Sequence, residues 1–382
     1  MHKVLSLAAG CICLFALAAR AYGPEGHKII GAIADQRLAR TVAGARVSEL
    51  LDGYTLEEVS MIADTIKQWD KPGVEGPNVQ RYFSSHPLIA EQLREFWKAN
   101  PPTDDLNSPV PSHHWFHYTD VPLAGNEDYA GGKTGRSPWD IVHMMRYCIE
   151  VLAGNIPANN ERKITQPIAL ILLAHYVGDI HQPLHVGAEY FDRKGKPVNP
   201  DKISAALPDE GGNSLRLKLA GGFPRKRDPK FHGYWDADAV LANLPLLPAT
   251  MPKELRQQKT DLALKSLTSR LAKVEPTHWQ MSPTLPLEDY PEGWANEILP
   301  IAREAYGRLH YQNIAPRLDN GKLVAEGELV EKPGEHEMPY AKWAADTVLD
   351  EMHKAGWRLA DLLVKLLTPN EKARSQIAGA AP

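Results

Sequence analysis

His175-Tyr-Val-Gly-Asp179-Ile-His181-Gln-Pro-Leu-His185 is the stretch from which the rest of the chain can be read. It follows an apolar, Pro-free run from Ile168 to Val177 that reads as a helix. His175 and Asp179 are four residues apart, so a helix stacks both side chains on one face where they can grip one ion. Pro183 then breaks the helix, and His185 leaves the break aimed elsewhere. Imidazole and carboxylate together are a ligand set that zinc accepts. His181 is six residues past His175, off the His175/Asp179 face, which suits a supporting role at most.

One HxxxD pair is weak, since a helix with hydrogen-bonded core histidines reads the same way. Recurrence strengthens it. His232 and Asp236 repeat the spacing, His27 lies in Tyr22-Gly-Pro-Glu-Gly-His27, and His117 stands three residues before Asp120. Asp64 sits in the amphipathic run from Val59 to Trp69, beside apolar neighbours where an uncompensated carboxylate is costly and a cation is expected. These elements together point to a polynuclear metal site.

The first 21 residues read as a cleaved export leader rather than part of the fold. Lys3 gives a positive start, Val4 to Leu17 is apolar, and Ala19-Arg-Ala21 is an A-x-A cleavage site. The alternative box Ala8-Ala-Gly-Cys11 lacks the leucine a lipoprotein signal wants. An exported, periplasmic or secreted protein without a membrane anchor is expected, and no obligate protein partner is evident. Cleavage after Ala21 removes Cys11 and Cys13, leaving Cys148, so no intramolecular disulfide can form. Stability must come from a large core and bound metal. Losing Lys3 and Arg20 takes 43 basic residues to 41 against 47 acidic, or −6. That balance argues against a protein tracking duplex phosphates in a basic groove, but not against a phosphate substrate held by divalent cations.

Helical periodicity dominates. Helices are expected over 27–38, 138–152, 164–180, 261–274, 293–311 and 339–367, with one strand in Ser214-Leu-Arg-Leu-Lys-Leu and loops or short hairpins at 186–208 and 319–337. The fold class is mainly α: a single-domain helical bundle spanning 22–368 with a minor β-hairpin element, then a disordered tail over 369–382. Gly131-Gly-Lys-Thr134 is not a phosphate loop, because the required upstream glycine is Glu127 and no strand precedes it. There is no G-x-S-x-G elbow and no H-E-x-x-H pair. His86, His113, His114, His143, His278, His310 and His353 make no convincing ligand pair and read as surface or core residues.

Taken in order, Tyr22-Gly-x-x-Gly-His27, Ala63-Asp64, His117-x-x-Asp120, His175-x3-Asp179, His185, Gly211-Gly-Asn213 and His232-x3-Asp236 resemble the S1/P1 family of trinuclear-zinc nucleases. The segments around Trp294-Ala-Asn-Glu297 and Lys354 to Leu363 fit as well. The resemblance covers nearly all of 22–368, with extra loop length near 72–112, 187–208 and 318–338.

The resemblance implies the bundle shared by zinc phospholipases C and single-strand nucleases, holding three zinc ions. Asp179 would bridge two of them. One would take Asp64, His117 and His175; the other His27 with the amino nitrogen and carbonyl oxygen of the mature first residue, Tyr22. The third would take His185, His232 and Asp236. Lys67 matches the basic residue that meets the phosphate, Tyr118 an aromatic that stacks on a base, and Asp120 and Asn213 groups lining the nucleobase pocket. Asp64 would also orient the nucleophile. The implied activity is hydrolysis of single-stranded RNA and DNA to 5′-phosphate products, with 3′-nucleotidase activity, by a hydroxide bridging two zincs.

This chain departs from the family in having tyrosine where the first residue is usually tryptophan, in lacking the fungal disulfides, and in Ile62 replacing an aromatic. A zinc phospholipase C is the nearest alternative, and Gly211-Gly-Asn213 with His117-Tyr-Thr-Asp120 favours nucleic acid over it. A non-catalytic metal-binding protein is the other; against it, three protein ligands at His185/His232/Asp236 leave positions open for water and substrate.

Overall fold

The computed structural model describes residues 22–70, 87–101, 112–223, 227–248, 250–319 and 321–368. The expected leader over 1–21, the tail over 369–382 and His86 lie outside the described residues.

The helix that carries His175 and Asp179 is the centre of the molecule. Designated α7, it spans Gln166–Ile180, and every residue from Ile168 to Ile180 is buried. A helix apolar all round has no face to offer water, so it must be enclosed by others. Its start is set chemically: Thr165 Oγ1 accepts from the Ile168 amide, and Pro167 occupies a position where its missing N–H costs nothing.

Around it stand α1 (Gly23–Leu38), α2 (Val42–Leu50), α3 (Leu56–Val59), α4 (Ile62–Lys67), α5 (Pro87–Ala99), α6 (Ile141–Leu152), α9 (Tyr290–Gly307) and α10 (Tyr340–Leu367). A capping box fixes the start of α3, where Thr55 and Glu58 exchange bonds with each other's backbone. The helix α8 (Lys253–Lys273) buries only Leu267, Thr268, Leu271 and Ala272. The longest, α10, packs along α1 so closely that a methyl on Gly356 would sit 2.6 Å from Ile33 Cβ.

Phe231–Gly233, the π-helical Tyr234–Asp238 and Ala239–Leu241 form one continuous short helix. A π-turn adds a residue per turn and is a frequent companion of functional sites; here it carries Asp236. No helix among the described residues is long and apolar enough to cross a membrane.

The mainly α class holds, and several boundaries move. The helix expected from Pro138 begins at Ile141, because Asp140 rather than Ser137 is the cap, its Oδ1 accepting from the His143 amide. The helix expected from Asp261 begins eight residues earlier, where exposed polar residues gave no periodic signal. The helices over Val42–Leu50 and Pro87–Ala99 were not expected, the second falling in a stretch read as loop.

The largest correction is the β element. Helix α9 ends at Gly307, and His310–Asp319 (β6) pairs antiparallel with Lys322–Val330 (β7), which also pairs parallel with Leu215–Lys218 (β5). Residues 310–311 are expected to be helical and prove to be strand, because cross-strand pairing overrides a weak local signal. The hairpin reading of 319–337 holds only in part, since the hairpin begins nine residues earlier, at His310, and ends at Val330. Two two-residue ladders, Val121–Pro122 (β1) with Gly187–Ala188 (β2) and Tyr190–Phe191 (β3) with Leu207–Pro208 (β4), tie the loops around the site.

Candidate metal centre

Three elements bring imidazoles onto one carboxylate. From α7, His175 Nε2 lies 3.2 Å from Asp179 Oδ2. From the 3₁₀ turn at His113–His117, His117 Nδ1 lies 2.9 Å from the same oxygen. From α1, His27 Nε2 approaches the other oxygen, Oδ1, at 3.3 Å. The two oxygens of Asp179 therefore face two different ligand groups, which is how a carboxylate bridges two cations. Asp64 on α4 completes the first group, its Oδ1 lying 3.7 Å from His175 Nε2 and 3.9 Å from His117 Nδ1.

A second cluster lies beside the first. His185 Nε2 and His232 Nε2 are 3.1 Å apart, and His232 Nε2 is 3.4 Å from Asp236 Oδ2. Donor atoms of three sets fall within 4.8 Å of one another: His27/His175/Asp179, Asp64/His117/His175 and His185/His232/Asp236, with every member buried.

Hydrogen bonding on the far side of the rings shows what these atoms are prepared for. His175 Nδ1 donates to the Ser60 carbonyl at 2.6 Å, His185 Nδ1 to the His117 carbonyl at 2.7 Å, and His232 Nδ1 to the Gly211 carbonyl at 2.7 Å. A neutral imidazole that donates from Nδ1 presents a bare lone pair at Nε2. The His185 and His232 lone pairs then point at each other, and that of His175 points at two carboxylates. Such contacts repel unless a cation lies between them.

His27 Nε2, His175 Nε2, Asp64 Oδ2, Asp179 Oδ1 and Asp236 Oδ2 are all buried without a hydrogen bond, and Asp64 Oδ1 has only the ion contact with Lys67. An uncompensated buried polar atom costs about 1–3 kcal/mol, more when charged. The donor set therefore fits zinc, and the candidate ligands His27, Asp64, His117, His175, Asp179, His185, His232 and Asp236 are all brought together. Tyr22 stands at the N-cap of α1, one turn before His27, with its side chain fully buried.

Local structure explains the placement. Gly178 lies between the two ligands of α7, and a Cβ there would sit 2.7 Å from His27 Nδ1. Only glycine lets the α1 imidazole lie on the α7 backbone, where its ring stacks on His175 at 3.9 Å. We expect Gly178→Ala to push His27 off Asp179 and reduce activity about 10–100-fold, the range for a disturbed ligand shell. Metal content and turnover measured side by side check this; a fully loaded, fully active variant would show that the close approach is unimportant. Gly211 and Gly212 both have positive φ, 60° and 79°, so the turn that delivers the carbonyl to His232 needs residues without a side-chain penalty there.

Electrostatics follow burial. Burial raises the Asp64 carboxyl, but Lys67, His175 and His117 outweigh it and hold it below the usual carboxylate range. Lys67 Nζ stands 2.6 Å from Asp64 Oδ1, an ion contact one turn along α4. Burial and then His185 push His232 down to about 3, keeping it neutral and ready to bind metal. Asp236 goes the other way: burial raises it, Gln182 opposes, and Asp179 and Asp64 add to the rise. A cation in the cluster would reverse that.

Of the residues matched to substrate contacts, Tyr118 directly follows His117 and is 37% exposed, the most open aromatic at this edge. Asp120 is pushed up to about 8 by burial and then by Asp209, Glu210 and Asp140. Asn213 donates to the Glu210 carbonyl at 3.0 Å.

No sequence pattern points to Gln182, although it lies between the candidate ligands Asp179 and His185. Its Nε2 donates to Asp236 Oδ1 at 2.7 Å and its Oε1 accepts from the Leu184 amide, which aims Asp236's other oxygen at His232. The Gly131-Gly-Lys-Thr134 loop does bind an anion, but an internal one: the Lys133 and Thr134 amides donate to Asp201. Cys148 is fully buried, and burial raises its thiol.

Comparison with known proteins agrees with this geometry. Residues 22–368 match the family model described as S1/P1 Nuclease. Among curated proteins, Endonuclease 2 of Arabidopsis thaliana is 24% identical over 249 residues, 63% of each chain. Endonuclease 1 of the same plant is 29% identical over 104 residues, 25% of this chain and 27% of its own. The chain thus spans just under two thirds of the first of these relatives and about a quarter of the second. With the family model covering residues 22–368, this chain belongs to the S1/P1 nuclease family.

Proposed function

We propose that the chain is a zinc-dependent phosphodiesterase that hydrolyses single-stranded RNA and DNA to 5′-phosphate products and also acts as a 3′-nucleotidase. The observation that supports this most is the Asp179 carboxylate, with one oxygen turned to His27 and the other to His117 and His175. Three zinc ions are proposed: one on Asp64, His117 and His175, one on His27 with the backbone amine and carbonyl of Tyr22, and one on His185, His232 and Asp236, with Asp179 shared by the first two. Bound there, zinc supplies Lewis-acid stabilisation of phosphoryl oxygens and a water acidic enough to attack at neutral pH. Export and cleavage after Ala21 would free the Tyr22 amine for its part.

The chain's own groups do the rest. The Lys67 ammonium, held toward the cluster by Asp64, neutralises charge that grows on the phosphoryl oxygens. The bond broken is P–O3′, so the 3′-oxygen leaves with a proton and the phosphate stays on the 5′ side. Asp120 and Asn213 orient the nucleobase, and Tyr118 stacks on it. Base stacking is worth about 1–3 kcal/mol, tolerates any sequence, and needs an unpaired base, which accounts for single-strand preference.

We expect Tyr118→Ala to lower kcat/KM on a dinucleotide by about 5- to 100-fold, from that stacking energy, and to leave a minimal phosphate ester without a base nearly unaffected. Equal losses on both would remove the stacking role. The function as a whole is tested by offering single-stranded RNA, single-stranded DNA and phosphatidylcholine to the metal-loaded protein and analysing product ends. Cleavage of the lipid alone would replace it with a phospholipase.

A further inference from the structure

His181 belongs to neither ligand cluster, yet it is fully buried and every polar atom it owns has a partner. Its Nδ1 donates to the Val177 carbonyl at 2.7 Å, and its Nε2 accepts from Arg358 Nη1 at 3.0 Å. Arg358, on α10, is itself pinned: its Nε donates to the Trp279 carbonyl at 2.7 Å, its Nη2 to the His278 carbonyl at 3.4 Å, and Nη2 also pairs with Glu297. The remaining group, the His181 carbonyl, accepts from the Tyr22 hydroxyl at 2.6 Å. His181 is also the C-cap of α7, the helix that carries His175 and Asp179.

Tyr22 occupies a position where tyrosine is a poor local choice. It is the N-cap of α1, where Ser, Thr, Asp or Asn would satisfy the open amides, and its side chain makes no capping bond. Its surroundings are shaped to its ring instead. A Cβ on Gly26 would sit 2.6 Å from Tyr22 Cβ, and one on Gly23 would sit 2.9 Å from the Asp236 carbonyl. The first described residue thus lies between the end of α7 and Gly26, while its neighbour Gly23 lies against the backbone of Asp236, which belongs to the other ligand cluster. A side chain that breaks the local capping rule while every neighbour makes room for it is serving something beyond its own helix.

We infer that the Tyr22 phenol is a positioning group: through its bond to the His181 carbonyl, held in turn by Arg358, it fixes the backbone of Tyr22 where it can serve the ion shared by His27 and Asp179. This goes beyond the proposed backbone ligation, because it assigns a task to the side chain, and it rests on the metal centre proposed above. A metal ligand that is also a chain terminus is the one most free to swing, so anchoring its side chain removes freedom that metal binding would otherwise have to quench.

The test is Tyr22→Phe, which keeps the ring and its packing and deletes only the hydroxyl. Protein isolated after export, with an N-terminus shown by mass spectrometry to be residue 22, is loaded with zinc and titrated with a graded chelator. Wild type and variant are compared for ions retained and for melting temperature of the metal-free chain. The expected result is one ion held about tenfold more weakly, the scale of one buried hydrogen bond, with the other ions held as in wild type and the metal-free melting temperature lower by only the few degrees that one such bond is worth. Unchanged retention of all ions would overturn the inference. So would a uniform loss of every ion with a lower metal-free melting temperature, which is the behaviour of an ordinary core residue. A wild type that holds no zinc at all would sink the metal centre and this inference with it, whereas a loaded wild type beside an indifferent variant sinks only the phenol's role.

Discussion

Asp179→Asn is expected to cut phosphodiester hydrolysis by at least about a thousandfold while leaving the protein folded. Three imidazoles from three elements converge on this carboxylate, at 3.3, 2.9 and 3.2 Å. The amide keeps the shape but loses the charge and one oxygen able to ligate, so both of the ions proposed to share the residue would be weakened together. A metal ion contributes several kcal/mol of transition-state stabilisation, and each 1.36 kcal/mol is tenfold in rate; losing about 4 kcal/mol accounts for the figure. Folding should survive because the residue is enclosed by packing that does not need its charge. Helix α7 is buried from Ile168 onward, and in the metal-free protein the amide can donate to an imidazole nitrogen, His27 Nε2 or His175 Nε2, that faces residue 179 without a hydrogen bond. Steady-state kinetics with metal analysis decide it. A variant with a tenth of wild-type activity or more would mean that the carboxylate does not bridge the reacting ions.

Removing the metal is expected to produce the other large effect. With the ions stripped by a strong chelator, activity should vanish and the melting temperature should fall on the order of 20 °C. The atoms that face the cluster are buried and without hydrogen bonds, so without cations their desolvation goes uncompensated. A ligand present at a thousand times its Kd stabilises the folded state by about 4 kcal/mol. The three ions proposed above, at about 2 °C per kcal/mol for a chain this long, would give the expected shift. Zinc should restore both properties and magnesium neither, since imidazole nitrogens suit zinc and magnesium prefers oxygen ligands. A chelated protein that melts unchanged would show that these groups are satisfied some other way.

Much of the candidate site is legible in the chain because the residues proposed as ligands come in local pairs. His175 with Asp179 and His232 with Asp236 each sit one turn apart, and that spacing survives whether the turn is α, as in α7, or π, as at Tyr234–Asp238. Helix cores with strong periodicity were equally plain. Where local chemistry is weak, boundaries move: the exposed first half of α8 has no apolar stripe, and the β6–β7 hairpin starts earlier than its own sequence suggests because partners across the sheet set its extent.

By itself, then, the sequence determined the class of the fold, the ligand types and the pairs that one helical turn can make, because those depend only on backbone period and side-chain chemistry. Only the tertiary structure decided how the pairs combine. It set His27 from α1 against Asp179 through a gap that Gly178 leaves open, and it aimed His185 at His232 through carbonyls of His117 and Gly211. It also brought the His181 carbonyl to the Tyr22 hydroxyl and the His181 ring to Arg358. These are contacts between residues dozens to more than a hundred positions apart. Packing fixes their geometry, and no local pattern carries that information.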